Sequence, residues 1–265
     1  MKGERMFFYR SDGASFALSV KTDAAEASVR LLDASLRACG EFAATVEAGE
    51  AVAAVKPPRL GEYTAEWSDG QIQLLEFRSE PYFTAEDLRA YDPQLSDGIT
   101  DADIAKVREH VEDVFDRASG TAFAPRGAYE RHAGNGTNSI RPDHLAPCRV
   151  TKCLVDGMEF EGAVAYGWNV SFPAIISRGS VVELWLEYGY RIPPAALLHN
   201  ALLYADTIVG QPATNPRATG QSGEFGYMQF SVAGKDGATG IPEVDAFLSS
   251  DEAAGGHGLK RMVVA

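Results

Sequence analysis

The sequence is short of cysteine, of positive charge and of long apolar runs, and each shortage narrows what the chain can be. It has three cysteines in 265 residues, Cys39, Cys148 and Cys153. An odd count fits no complete internal disulfide scheme, so reduced thiols are expected. Lys and Arg number 24 against 37 Asp and Glu, for a formal charge of -13. Proteins that grip nucleic acid take most of their affinity from Lys and Arg, so this surface is not built to hold phosphates. No apolar run approaches the roughly 20 residues of a membrane helix, and Met1-Lys-Gly-Glu-Arg5 lacks the apolar core of a secretion signal. These absences predict a soluble protein made in the cytoplasm, with no membrane partner.

Recognisable catalytic signatures are also missing. A phosphate-cradling loop would end in Gly-Lys-Ser/Thr, and no such run exists. The nucleophile-elbow pattern Gly-x-Ser-x-Gly is broken at Glu224 in the run from Gly220. The five histidines, His110, His132, His144, His199 and His257, are scattered, with no neighbouring carboxylate marking a general base. His144, Cys148 and Cys153, with His132 as a fourth, invite a metal reading. Against it, the two cysteines lie in one strand-like run at a separation that sends them to opposite faces. Asp97, Asp101 and Asp103 lack the glycine and distal Glu of a calcium loop, and helix capping explains two of them. The expectation is therefore no enzyme, no metal and no cofactor.

What is present is well organised. Between Arg5 and Phe77 six or seven short strands are expected, from candidate runs that recur every 8–12 residues or so: 6–10, 15–20, 28–32, 42–47, 51–56, 63–67 and 71–77. Asp12-Gly13, Gly40, Gly49, Pro57-Pro58 and Asp69-Gly70 separate them. This spacing predicts a β-sandwich of immunoglobulin-like type, although 23–37 is Ala-rich enough to read as a helix. Thr84 with Asp87, and Thr100 with Asp103, have capping-box spacing with Asp in place of Glu. They predict a two-turn helix over 85–91, ended by Pro93, and a long helix closed by Gly120. The long helix has its apolar stripe at Ile104, Val107, Val111, Val114, Phe115 and Ala118. That arrangement turns Glu109, Glu112, Asp113 and Asp116 outward.

Further on, Cys148 to Val155 followed by Asp156-Gly157 predicts a hairpin. Runs 164–170 and 181–187 are strands. Pro193-Pro194 opens a third helix striped by Leu198, Ala201, Leu202, Ala205, Ile208 and Val209, and Gly210 closes it. Residues 211–222 read as a flexible arm and 225–232 as a strand. A turn and short helix follow at 239–248.

Three of these pieces, in this order, resemble the head-to-tail connector (adaptor) proteins of long-tailed double-stranded-DNA phages. The first is Thr84-Ala-Glu-Asp-Leu88 with the turn Phe115-Asp-Arg-Ala-Ser-Gly-Thr-Ala-Phe123. The second is Glu187-Tyr-Gly-Tyr-Arg-Ile-Pro-Pro194, leading into an Ala/Leu-rich helix. The third is Gly240-Ile-Pro-Glu-Val-Asp245. The resemblance implies an α+β chain: an immunoglobulin-like β-sandwich (1–80), a small helical connector domain (81–210) with a β-hairpin insertion at about 126–187, and a C-terminal arm (211–265).

It further implies a structural virion protein of the phage neck, forming a dodecameric ring between portal and tail. The genome would pass through the ring without sequence-specific binding. Partners would be the portal and a tail-side stopper or terminator. Within that reading, Glu109, Glu112, Asp113 and Asp116 are candidate lumen-facing residues, whose charge would let DNA slide. Phe225, Tyr227, Ile241, Val244 and Phe247 are candidate contacts with portal or a neighbouring subunit. Three alternatives stay open. One is a tail-completion or stopper protein of the same neck. Another is a carbohydrate-binding sandwich using Trp67, Trp168 and Trp185 as stacking platforms. The third, least favoured, is a metal-dependent hydrolase.

Overall fold

The structure is a computed structural model, and it describes residues 5–10, 15–144, 146–210, 220–223, 226–229, 239–250 and 253. The chain divides into two compact units, 1–80 with 124–191 and 81–123 with 192–265.

The first unit begins with seven strands: β1 (Arg5–Tyr9), β2 (Phe16–Lys21), β3 (Ala27–Asp33), β4 (Ala38–Glu47), β5 (Glu50–Val55), β6 (Gly61–Trp67) and β7 (Ile72–Arg78). All seven runs read from the sequence are strands, and 23–37 carries β3 instead of a helix. They do not build a sandwich, however. They form one sheet in the order β1-β7-β6-β3-β4-β5-β2, nearly closed on itself. The described residues are mostly β, with 39% strand and 22% helix, so the α+β expectation is corrected along with the sandwich.

A single curled sheet satisfies the same alternation as two facing sheets. One face of every strand still points at a common core, here Leu18, Val29, Leu31, Ala53, Val55, Tyr63, Trp67, Leu75 and Phe77. Closure is visible at the two edge strands. Phe8 of β1 and Phe16 of β2 both pack on Phe77, with ring centroids 5.3 and 5.0 Å away. Lower on the seam, side chains at the start of β7 and just before it replace a backbone ladder. Gln71 Nε2 donates to the Lys21 carbonyl (2.7 Å) and Gln73 Nε2 to the Ser19 carbonyl (2.8 Å).

The same unit then adds β8 (Arg126–Ala133), β9 (Ser139–Ile140), β10 (Pro147–Val155), β11 (Met158–Glu159), β12 (Val164–Tyr166), β13 (Asn169–Ser171) and β14 (Val181–Tyr188). They make a sheet β11-β10-β14-β8 and a smaller one, β12-β13-β9. The hairpin at Asp156-Gly157 forms as its sequence predicts, with both residues at positive φ. The expected 164–170 strand is broken at Gly167 into β12 and β13.

Central strand β14 is buried from Val182 to Leu186, because both its faces are covered. On one face Val182, Leu184 and Leu186 join Ile140, Val170, Phe172 and Ile176. On the other, Trp185 donates from Nε1 to Asp33 Oδ2 (3.0 Å), and Arg37 holds both oxygens of Glu183 at 3.0 and 2.8 Å. Gly127 makes the close approach feasible, since a Cβ there would lie 2.0 Å from the Leu60 carbonyl oxygen. These contacts are why 124–191 share a unit with 1–80, although the sequence reading placed 126–187 as an insertion in the helical domain.

The second unit holds α1 (Ala85–Tyr91), α2 (Asp101–Ser119), α3 (Leu197–Gly210) and α4 (Pro242–Leu248), with a strand pair β15 (Gly220–Gly223) and β16 (Gly226–Gln229). Both capping boxes are formed, and Gly120 ends α2 in the left-handed conformation at φ 74°. The third helix starts at Leu197, three residues after Pro194. Most of the 211–232 arm-and-strand expectation falls outside the described residues.

Candidate functional site

The helical unit is built around aromatic rings. Phe115 of α2 lies 6.2 Å from Phe123, 6.2 Å from Tyr204 of α3 and 6.3 Å from Phe247 of α4, and Phe123 stacks on Phe247 at 5.5 Å. Val244 and Phe247, proposed from sequence as outward contacts, are therefore buried core of their own unit. Ile241 is half-buried at the start of α4. Phe225 lies outside the described residues. Of Tyr227 only its backbone place in β16, opposite Ser222, is described.

The acidic residues of α2 share one helix face, as their three-or-four spacing requires, but not one environment. Asp113 is exposed, Glu109 and Asp116 are half-buried, and Glu112 is fully buried. The segment leading into α1 covers that side of the helix and uses its carboxylates. Glu112 accepts from the Tyr82 backbone amide at 3.1 Å. Asp116 accepts from the Tyr82 hydroxyl, which itself accepts from the Phe123 amide at 2.8 Å. Helical periodicity put Glu112 outside because it cannot register a strap of chain crossing the polar side. Glu112 is thus removed from the lumen-facing set.

The other sequence candidates are also placed. Asp103 caps α2 and Asp101 pairs with Arg89 at 2.9 Å, so the calcium reading gives way to capping. Trp67 and Trp185 are 3% and 5% exposed, which denies a sugar ring their faces. Cys153 packs in the core beneath β14, where burial pushes its thiol up to about 11. Neither Cys148 nor Cys153 joins the histidines.

What the sequence reading missed is Glu130. Alternation along β8 puts Glu130 and His132 on the same face, opposite Leu184 and Val182. The chain returns over them at Asp143-His144. Glu130 Oε2 lies 2.6 Å from His132 Nε2 and accepts from the Asp143 amide at 2.9 Å. Its Oε1 lies 2.7 Å from His144 Nδ1 and accepts from the His144 amide at 2.9 Å. Burial works against charge on this carboxyl, which is 5% exposed, but the four bonds outweigh it and hold the group well below the usual carboxylate range. In return the bond to Glu130 raises His132, against its partial burial. Among the described residues, Glu130, His132 and Asp143 are the one group of three or more metal-capable side chains whose ligand atoms lie within 4.8 Å of one another. The signal available in sequence was Glu-x-His on a strand, with an Asp-His turn beginning eleven residues after the histidine.

No helix among the described residues is long and apolar enough to cross a membrane. No protein-family model and no curated protein matches the sequence. Among solved structures, CopC from Methylosinus trichosporium OB3b is similar over 28% of this chain and 82% of its own, at 17% identity and a TM-score of 0.21. A similarity that slight carries no argument about the fold or function of this chain.

Proposed function

We propose that this chain is a non-enzymatic connector of the tailed-phage neck, a subunit of a ring, dodecameric in the family it resembles, that sits between portal and tail and lets the genome through. The observation that carries the reading is where the resembling segments end up. Phe115 and Phe123 from the first, Tyr204 from the helix opened by the second, and Phe247 from the helix begun by the third meet in one aromatic cluster. Segments more than a hundred residues apart thus act as parts of one small helical unit.

Exposed apolar side chains favour association over a solitary monomer. In the helical unit these are Tyr91, Ile192 and Leu198; in the β unit they include Leu36 and Ile72 and a group, Met158, Val164, Tyr166 and Ile175, within 18 residues of chain. Of the acidic residues, Asp113 and Glu109 remain candidates to line the lumen. Repulsion there would keep DNA moving.

Light scattering and particle imaging of the purified chain, alone and mixed with a portal ring, test the proposal. A closed ring, or assembly onto the portal, is expected. A monomer that stays apart from portal at high concentration would overturn it. Removing residues 1–80 is a poor test of which unit forms the ring, since it strips Asp33 and Arg37 from Trp185 and Glu183. Removing 1–80 and 124–191 together, with a short linker joining Phe123 to Ile192, asks the question of the helical unit directly.

A further inference from the structure

The Glu130 centre lies in the β unit, and the connector reading makes no use of it. A buried carboxylate that only needs neutralising is well served by one Arg, whose fork saturates both oxygens. Glu130 instead holds two imidazoles, one on each oxygen, and has a second carboxylate, Asp143, at the exposed lip of the same cluster. Imidazole nitrogen with carboxylate oxygen is the donor set of first-row divalent ions.

We propose that Glu130, His132 and Asp143 form a binding site for a divalent transition ion of the Zn2+ type. His132 Nε2, Glu130 Oε2 and an Asp143 carboxylate oxygen are the three protein ligands, and the exposed lip leaves a fourth position to water. His144 is the supporting partner. Its ring and its amide keep hold of Glu130 Oε1 and so fix the direction in which Oε2 points, the arrangement by which outer groups orient a ligating side chain.

Bonds of about 2.0–2.1 Å at tetrahedral angles set ligand atoms about 3.3 Å apart. His132 Nε2 and Glu130 Oε2, now 2.6 Å apart, therefore have to open slightly, while Asp143 swings in from solvent. Both movements are small. His132 is only half-buried and the Asp143 side chain is exposed. Glu130 stays in place, tethered by the two amides. An imidazole in the set disfavours Ca2+ and Mg2+, which take oxygen ligands.

The test is calorimetric titration of the tag-free, chelator-stripped full chain with ZnCl2, and separately with CaCl2. One Zn2+ per chain at a Kd of about 10 μM or tighter is expected, with no comparable heat from Ca2+. Asp143→Ala, a change at an exposed position, and His132→Ala should each weaken binding by about tenfold or more. Cys148→Ser with Cys153→Ser should leave it unchanged. Zn2+ at a fixed concentration near the wild-type Kd should also raise the melting temperature of the wild type, and that of Asp143→Ala by clearly less. Absence of saturable Zn2+ uptake by the wild type, or uptake undiminished in Asp143→Ala, would overturn the site. Should His132→Ala fail to fold, Asp143→Ala alone decides. Ring formation is read in a separate assay, so either proposal can fail without the other.

Discussion

The two units are held together by different chemistry. In the helical unit, rings meet rings around Phe115, and the polar groups that are buried, such as Glu112, serve mainly to fasten a strap of backbone. In the β unit, the seven-stranded sheet has an apolar core of its own, but its join to β14 is polar. There, Asp33 accepts from Trp185 Nε1, from Ser35 and from the Arg37 amide, and Arg59 lies 3.4 Å away. Arg37, Arg59 and Lys152 all lie 5.1–5.6 Å from the centre of the Trp185 ring system. An apolar cluster tolerates small shifts among its members. A polar join works only in one register, because each donor left without its acceptor costs the full desolvation of that group. The helical unit should therefore lose stability in proportion to volume removed, and the β unit in proportion to partners orphaned.

That contrast can be broken at four places. The largest effect is expected for Phe115→Ala, which empties the centre of the aromatic cluster. A loss of about 3–5 kcal/mol is expected, read by chemical denaturation as early melting of helical signal, with β signal lost later. Loss of both signals in a single unchanged transition would count against separate cores.

Next comes Asp33→Ala, which removes the acceptor of the indole N–H, of the Ser35 and Arg37 amides, of the Ser35 hydroxyl and of Arg59. About 2–3 kcal/mol is expected, whereas Asp33→Asn, keeping an acceptor for the indole, should recover part of it. Equal losses for the two variants would mean that the acceptor is not what matters.

Glu183 offers a pH test of the same join. The hydrogen bond from Arg37, then that from Tyr129, lowers its pKa below the ordinary 4.5, against a small opposing effect of burial. A depressed carboxyl stabilises the fold above its unfolded pKa and ceases to do so as pH falls through the folded one. The stability gap between wild type and Glu183→Gln should hold near neutral pH and close as pH drops below about 4.5. A gap independent of pH would assign the difference to shape alone.

The smallest effect belongs to the helix caps. Thr100→Ala removes one capping box and should cost about 1 kcal/mol, with Thr100→Ser close to wild type. No measurable change would show that α2 is held by packing without help from its cap.

The helices were legible in detail because their signals are local. Thr84 with Asp87 and Thr100 with Asp103 set the starts, and Gly120 set an end, each through contacts within one turn. Seven strands were legible too, as alternation between turn residues. Their arrangement was not, since pairing is decided between residues far apart in the chain. Nothing in 5–9 announces that β1 will pair in parallel with β7, or that Phe8 and Phe16 will share Phe77. The same holds for the candidate centres. Glu112 looked exposed until Tyr82 crossed it, and Glu130 and His132 looked ordinary until Asp143-His144 folded back over them.

By itself the sequence settled the helix termini of α1 and α2, the acidic balance and the hairpin at Asp156-Gly157, and it bounded the strands before residue 80 at six or seven. These depend on turn geometry, caps and composition, which act over a few residues. Only the tertiary structure decided that those strands curl into one sheet, that 124–191 belong with them, and that a buried glutamate gathers two histidines. Those outcomes turn on which distant side chains exclude water together, and a pattern that repeats every two residues is blind to that choice.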